Sequence, residues 1–188
     1  MTRAGFVSLI GPPNAGKSTL MNTLVGTKVS IVTPKVQTTR SRVRGIAMHD
    51  DAQVIFIDTP GIFTPKRRLD RAMVSAAWQG ASDGDLVVLV HDAARSQIDD
   101  DTLRILDQLN TNNVRAALVL NKIDLMDREK LLERASALSS RAEFSQVFML
   151  SAEKASGTDD FLKWLASQMP EGPYYFCLLY TSDAADDD

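Results

Sequence analysis

The sequence predicts an α/β fold: a six-stranded, mostly parallel sheet with one antiparallel edge strand and helices on both faces. Three observations carry this. Unbroken apolar runs alternate along the chain with stretches of helical spacing, as in a parallel sheet covered on both sides. A glycine-bearing loop, Gly11-Pro12-Pro13-Asn14-Ala15-Gly16-Lys17-Ser18, lies between the first apolar run and the first helical stretch. That strand–loop–helix order is the context a phosphate-binding P-loop needs. Finally, 188 residues with 44% apolar and 24% charged side chains fit one domain with a substantial core.

Taken in order, Phe6–Ile10 reads as the first strand and Lys17–Val25 as the first helix. Arg42–Met48 alternates charged with apolar residues and reads as the edge strand. Val54–Ile57, Leu86–Val90, Ala116–Leu120 and Val147–Leu150 are the remaining strands. The intervening helices are Arg68–Gln79, Asp100–Leu109 (Leu103, Leu106 and Leu109 on one face), Arg128–Leu138 and Thr158–Met169. Phe161, Leu165 and Met169 share a face of the last helix, with Thr158 as its N-cap. Residues 1–169 form the domain, and 170–175 read as the start of a linker.

Composition narrows the chemistry. The net charge is −3, but the last thirteen residues hold four aspartates and no Lys or Arg. Without them the balance is 21 basic against 20 acidic, so bulk charge does not argue for nucleic-acid binding. The single cysteine, Cys177, excludes an intramolecular disulfide and a thiolate zinc site. His49 and His91 read as strand-end or surface residues, not metal ligands. The first apolar stretch is short, and Leu86–Val90 is far too short to span a bilayer, so the chain reads as cytoplasmic.

Each motif falls at the carboxyl end of a strand, where such sheets bind ligands. In the P-loop, Gly11, Pro12, Pro13, Asn14, Ala15 and Gly16 bring backbone N–H groups to phosphate oxygens, and the helix N-terminus adds its dipole. Lys17 is expected to reach the β- and γ-phosphates and the Ser18 hydroxyl to bind Mg²⁺, with Thr19 beside them. After Ile55-Phe56-Ile57 comes Asp58-Thr59-Pro60-Gly61. An acid at the tip of a buried strand is costly without a cation or donors, so Asp58 is a candidate for holding Mg²⁺. Gly61 can offer an unobstructed N–H to a γ-phosphate. After Leu118-Val119-Leu120 comes Asn121-Lys122-Ile123-Asp124. A carboxylate at Asp124 can accept both the N1–H and the exocyclic amine of guanine. Adenine offers no such pair, which disfavours an adenine nucleotide. Asn121 can bond the base edge and brace the P-loop, the Lys122 stem can lie along the base, and Ser151-Ala152 can add a backbone N–H to the guanine oxygen.

These motifs in this order resemble the translation-factor-related GTPases with a P-loop NTPase, Ras-like G-domain fold. With Gly5-Phe6, Lys28-Val-Ser-Ile-Val-Thr-Pro-Lys-Val-Gln-Thr-Thr-Arg40 and Gly45-Ile46, residues 3 to 175 resemble the amino-terminal GTPase domain of the Era family. The family comprises bacterial GTPases of small (30S) ribosomal-subunit assembly and 16S rRNA maturation. The resemblance implies GTP as substrate, GDP as product and Mg²⁺ as cofactor. It makes Gln37-Thr38-Thr39-Arg40 part of the first switch, with Thr39, or else Thr38, closing on Mg²⁺ and the γ-phosphate. Residues Ile62 to Arg71 would be the second switch.

Many GTPases carry a water-orienting glutamine where this chain has Ile62, which has no hydrogen-bonding group. The resemblance implies instead a K⁺ ion held partly by Asn14. No side chain reads as a general base or covalent nucleophile, so Lys17, Thr39, Gly61, Mg²⁺ and backbone N–H groups are expected to act by positioning and charge. The resemblance also implies a monomer that meets 16S rRNA and the 30S subunit, with peripheral contact to the inner membrane as a further option. Lys35, Arg40, Arg42, Arg44, Lys66, Arg67, Arg68 and Arg71 are either a solvated surface or a nucleotide-dependent contact. Alternatives are a nucleotide-dependent interaction module with negligible hydrolysis, or another Era-related GTPase.

Two departures stand out. Where the family often has a glycine after Ser151-Ala152, this chain has Ala155, with Gly157 following later. The other is the carboxyl end. Pro170-Glu-Gly-Pro-Tyr-Tyr175 resembles the linker to an RNA-binding KH domain, yet no two of the ten glycines are three apart, so the GxxG clamp of such a domain is missing. Residues 176–188 resemble translated read-through of a sequencing adapter, or else a disordered tail, and are expected to pack poorly.

Overall fold

The computed structural model describes residues 1–26, 29–30, 42–58, 85–176 and 179–180. Its central element is β1 (Arg3–Ile10), flanked on one side by β4 (Ala52–Asp58) and on the other by β5 (Leu86–Asp92). With β3 (Arg42–His49), β6 (Ala116–Asn121) and β7 (Phe144–Met149) they form one six-stranded sheet of order β3-β4-β1-β5-β6-β7. All neighbours are parallel except β3, which pairs antiparallel with β4 at the edge. The chain builds to one side of β1 and then to the other, so a crevice opens where β1 ends. A separate two-residue ladder joins β2 (Val29–Ser30) to β8 (Leu179–Tyr180).

The helices cover both faces because the central strands are apolar on both. α1 (Lys17–Val25) and α4 (Thr158–Gln168) pack on one face, burying Leu20, Leu24, Phe161 and Leu165 against Val7, Val54, Phe56, Val88 and Val119. On the other face lie α2 (Asp100–Thr111) and α3 (Arg128–Ser139). There Ile105, Leu106, Leu109, Leu131 and Leu138 meet Val87, Leu89, Leu118 and Leu120. Asp99 caps α2 by accepting from the Thr102 N–H, and Asp100 and Asp101 in the first turn complement the helix dipole.

Several expectations shift. β1 begins at Arg3 and not Phe6, because its ladder with β4 already runs from Arg3 opposite Ala52. Gly157, with φ 78°, caps α4 in place of Thr158, which is instead the first helical residue and buried. Met169 has left the helix, extended but wholly buried. His49 does end β3, whereas His91, next to the last residue of β5, is fully buried and not at the surface. The expected helix Arg68–Gln79 lies outside the described residues.

Residues 170–176 run back along the sheet. The Ala4 N–H donates to Pro170, Thr2 and Gly172 bond through backbone and hydroxyl, and Arg3 bridges Glu171. Gln53, wholly buried on β4, accepts from the N–H groups of Tyr175 (3.0 Å) and Phe176 (3.2 Å) and donates to the Phe176 carbonyl (2.9 Å). Phe176 thereby rests on Ile46, Ile55 and Ile57, and Tyr175 meets Phe6 at 5.0 Å between ring centres. The poor packing expected from residue 176 onward thus does not extend to Phe176, whose backbone groups Gln53 satisfies. Among the described residues no helix is long and apolar enough to cross a membrane.

Candidate functional site

The loop from Gly11 to Ser18 leaves β1 in the crevice and turns into α1. Gly16, at φ 97°, is its N-cap, and no side chain caps the helix, so its first N–H groups face the loop. The left-handed angle alone favours glycine here, and a Cβ would also collide with the Asn121 amide nitrogen. Asn14 is left-handed too, at φ 66°, and exposed. Gly11, Pro12 and Ala15 are buried, while Pro13, Ser18 and Thr19 are exposed. The Lys17 ammonium donates to the carbonyls of Gly11 and Pro12 (3.1 Å for Pro12), curling over the loop.

Three loop ends meet at this edge. Asn121, the last residue of β6 and 2% exposed, donates to the Ala15 carbonyl (2.9 Å) and accepts from the Ala152 N–H (3.0 Å). One amide thus ties the P-loop to the loops after β6 and β7. Lys122, left-handed at φ 65°, extends its ammonium to the Asn14 carbonyl (3.0 Å). Asp124 sits on the exposed side of the 3-10 turn Ile123–Leu125 and accepts from the Ser151 hydroxyl at 2.8 Å. That hydroxyl in turn accepts from the Lys154 N–H at 3.2 Å. Ser151 and Ser156 pair through reciprocal backbone bonds, and inside this turn Ala155 takes φ 51°. It stands in the turn expected to hold glycine, and its φ lies in the left-handed region that favours glycine.

Asp58 ends β4 at the same edge of the sheet. Thr38, Thr39, Thr59, Pro60, Gly61 and Ile62 lie outside the described residues, as do Lys35, Arg40, Lys66, Arg67, Arg68 and Arg71.

The structure adds residues that the motifs do not name. Asp92, at the end of β5, accepts from Lys122 Nζ at 2.9 Å and from the Ala94 N–H at 2.9 Å. The reasoning that singles out Asp58, an acid at the tip of a buried strand, applies equally to Asp92. Thr23 on α1 donates to the Ala152 carbonyl at 2.9 Å and joins α1 to the base-side loop. Behind Asp92, Arg134 donates to His91 Nε2 (3.0 Å) and to the Arg95 carbonyl (2.7 Å). This assigns the imidazole proton to Nδ1, which faces the Thr102 hydroxyl at 3.4 Å, and Thr102 donates to Asp99 at 2.6 Å. Burial first, then the Arg134 charge, lowers the His91 pKa from 6.5 to about 4, against the opposing pull of Asp99 and Asp92.

This geometry can cradle an anion at the α1 N-terminus and place a flat polar group between Lys122 and Asp124. A family profile described as 50S ribosome-binding GTPase matches residues 6–122. The chain belongs to this family. Its fold is that of a P-loop NTPase, the Ras-like G domain.

Among its relatives, GTPase Era of Sinorhizobium medicae is 55% identical over 175 residues, covering 93% of this chain and 56% of the relative. The crystal structure of Aquifex aeolicus Era bound to GDP and AlF4⁻ superposes with TM-score 0.71 at 35% identity, covering 94% of this chain and 60% of that one. A structure of Era with MgGDPNP and nucleotides 1506–1542 of 16S ribosomal RNA gives TM-score 0.71 at 34% identity, covering 92% and 59%. The chain therefore spans somewhat more than half the length of the family members it matches.

Proposed function

We propose that this chain is the GTP-binding and GTP-hydrolysing switch domain of an Era-like factor for 30S ribosomal-subunit assembly. The observation that carries the reading is the Asn121 side chain, bonded at once to the P-loop carbonyl of Ala15 and the base-side N–H of Ala152. It brings the phosphate loop and the Asn121–Asp124 motif into one site, which supports a nucleotide, a ligand long enough to reach both. In that site the α1 N-terminus and Lys17 take the phosphates, and Asp124 takes the donors of guanine.

Mg²⁺ fits the donor set. The exposed Ser18 hydroxyl and the acid ending β4, Asp58, are hard oxygen donors of the kind Mg²⁺ prefers, with Thr39 or Thr38 as the threonine partner. When bound, the ion neutralises charge on the β- and γ-phosphates. The exposed Asn14 amide oxygen is likewise suited to K⁺. The protein's own contribution is to hold the γ-phosphate with Lys17 and the backbone N–H groups of the loop and of Gly61. Hydrolysis is expected to be slow, with Ile62 where many GTPases have glutamine. The relative bound to 16S rRNA supports rRNA and the 30S subunit as partners, met mainly through the part of the family's length that this chain does not span. The domain would act as a cytoplasmic monomer.

Calorimetry with GTP and ATP is the test. GTP should bind on the order of 100-fold tighter than ATP, and Asp124→Asn should abolish that preference. Equal affinities in the parent chain would defeat the guanine assignment. Single-turnover hydrolysis with Mg²⁺ should be faster in K⁺ than in Na⁺, a difference that Asn14→Ala removes. Equal rates in the two salts would end the K⁺ reading, and no hydrolysis at all would leave a nucleotide-dependent interaction module.

A further inference from the structure

The Lys122 ammonium is anchored at two points, and the second anchor lies outside every motif of the site. Lysine has a flexible four-carbon stem with many rotamers, and fixing it costs entropy. A stem that must lie flat as one wall of a base pocket is therefore of little use unless its tip is held. Here the tip is held between the Asn14 carbonyl (3.0 Å) and Asp92 Oδ2 (2.9 Å).

Asp92 is itself immobilised. Its side chain is 12% exposed, its other oxygen accepts the Ala94 N–H at 2.9 Å, and Arg95 Nε stands 4.0 Å from Oδ2. The loop carrying these groups is fixed in turn. The Ala93 N–H donates to the Asn121 carbonyl, and Arg134 holds the Arg95 carbonyl from α3. Asp92 thus presents a rigid, charged acceptor to a lysine that also touches the phosphate loop. Such an ion pair, half-shielded from water, is far less screened than a surface pair.

We propose that Asp92 is a positioning residue for the nucleotide base: it stretches Lys122 from the base motif to Asn14, so that the stem forms a fixed wall of the base site and couples that site to the P-loop. The role rests on the guanine-nucleotide reading above. It differs from that of Asp124, which would choose between bases. Asp92 acts on a wall that any flat base would meet, so its loss should weaken guanine and hypoxanthine nucleotides alike.

Dissociation of a fluorescent GDP analogue from the full chain provides the test, in the parent, Asp92→Asn, Lys122→Met and the double variant. Asparagine keeps an acceptor for Ala94 and removes the charge facing Lys122. Dissociation should quicken about tenfold in each single variant and no further in the double, because both changes release the same side chain. In steady-state hydrolysis the penalty should fall on KM more than on kcat, and Asp92→Glu should recover part of it. A residue that merely supported the fold would instead add its effect to that of Lys122→Met. Dissociation within twofold of the parent in Asp92→Asn, or full additivity in the double variant, would overturn the proposal while leaving the nucleotide reading intact. A parent chain that binds no GDP would remove both.

Discussion

Asn121 offers a direct test of how the site holds together. Replacing it with alanine removes one donor and one acceptor from a place where water does not reach: Asn121 is 2% exposed, and its partners Ala15 and Ala152 are 1% and 2% exposed. The Ala15 carbonyl and the Ala152 N–H would each lose the side-chain partner seen at 2.9 and 3.0 Å. A buried polar group stripped of its partner costs about 1–3 kcal/mol, so the pair gives about 2–6 kcal/mol. In a domain of this size each kcal/mol moves the melting temperature by about 2–4 °C. Urea unfolding of the nucleotide-free protein should therefore show a large drop in midpoint with little change in slope. Hydrogen exchange supplies the local reading, since protection of the Ala152 amide should fall beyond the global loss of stability. Asn121→Asp should do similar harm, because it keeps an acceptor for Ala152 but sets a carboxylate against the Ala15 carbonyl. A loss below about 0.5 kcal/mol, or an Ala152 amide as protected as before, would refute the claim that one amide joins the loops.

Two further outcomes follow from single residues. His91 is neutral in the folded chain down to about pH 4, while in the unfolded chain it takes up a proton near 6.5. The unfolded state binds more protons between those values, so stability should be flat above about pH 6.5 and fall by up to about 3 kcal/mol as pH drops towards 4. Unfolding measured across that range in the parent and in His91→Gln should show the variant losing this part of the slope, and parallel profiles would rule out His91 as its source. Ala155, at φ 51°, carries the left-handed penalty of an L-residue. Ala155→Gly should stabilise the chain by about 0.5–1 kcal/mol in chemical denaturation after the added unfolded-state entropy of glycine, and a destabilised variant would contradict this.

Much of the sheet was legible because its strands are apolar on both faces. Leu86–Val90 and Ala116–Leu120 reappear within β5 and β6 almost unchanged. The start of β1 was less legible, since ladder hydrogen bonds to β4 extend past the apolar run to Arg3, whose side chain says nothing about pairing. The cap of α4 was misplaced by one residue, because a side-chain preference for Thr158 gave way to the left-handed backbone available at Gly157. In the site, Asn121 and Lys122 could be read from a motif. Asp92 carries the same signal as Asp58, an acid at the tip of an apolar run, but its role and that of His91 could not be read, because the partners that give them meaning, Lys122 and Arg134, lie 30 and 43 residues along the chain. Only the folded sheet brings those pairs together.

Gln53 speaks to the junction at residues 175 and 176 in a particular way. Its amide accepts two main-chain N–H groups and returns a donor to a main-chain carbonyl, as a neighbouring strand would. Such a grip does not discriminate among side chains. Substitutions at positions 175 and 176 should therefore leave these three main-chain bonds in place even as they remove the ring contact with Phe6 and the packing on Ile46, Ile55 and Ile57, so Gln53 works as a socket that reads backbone alone.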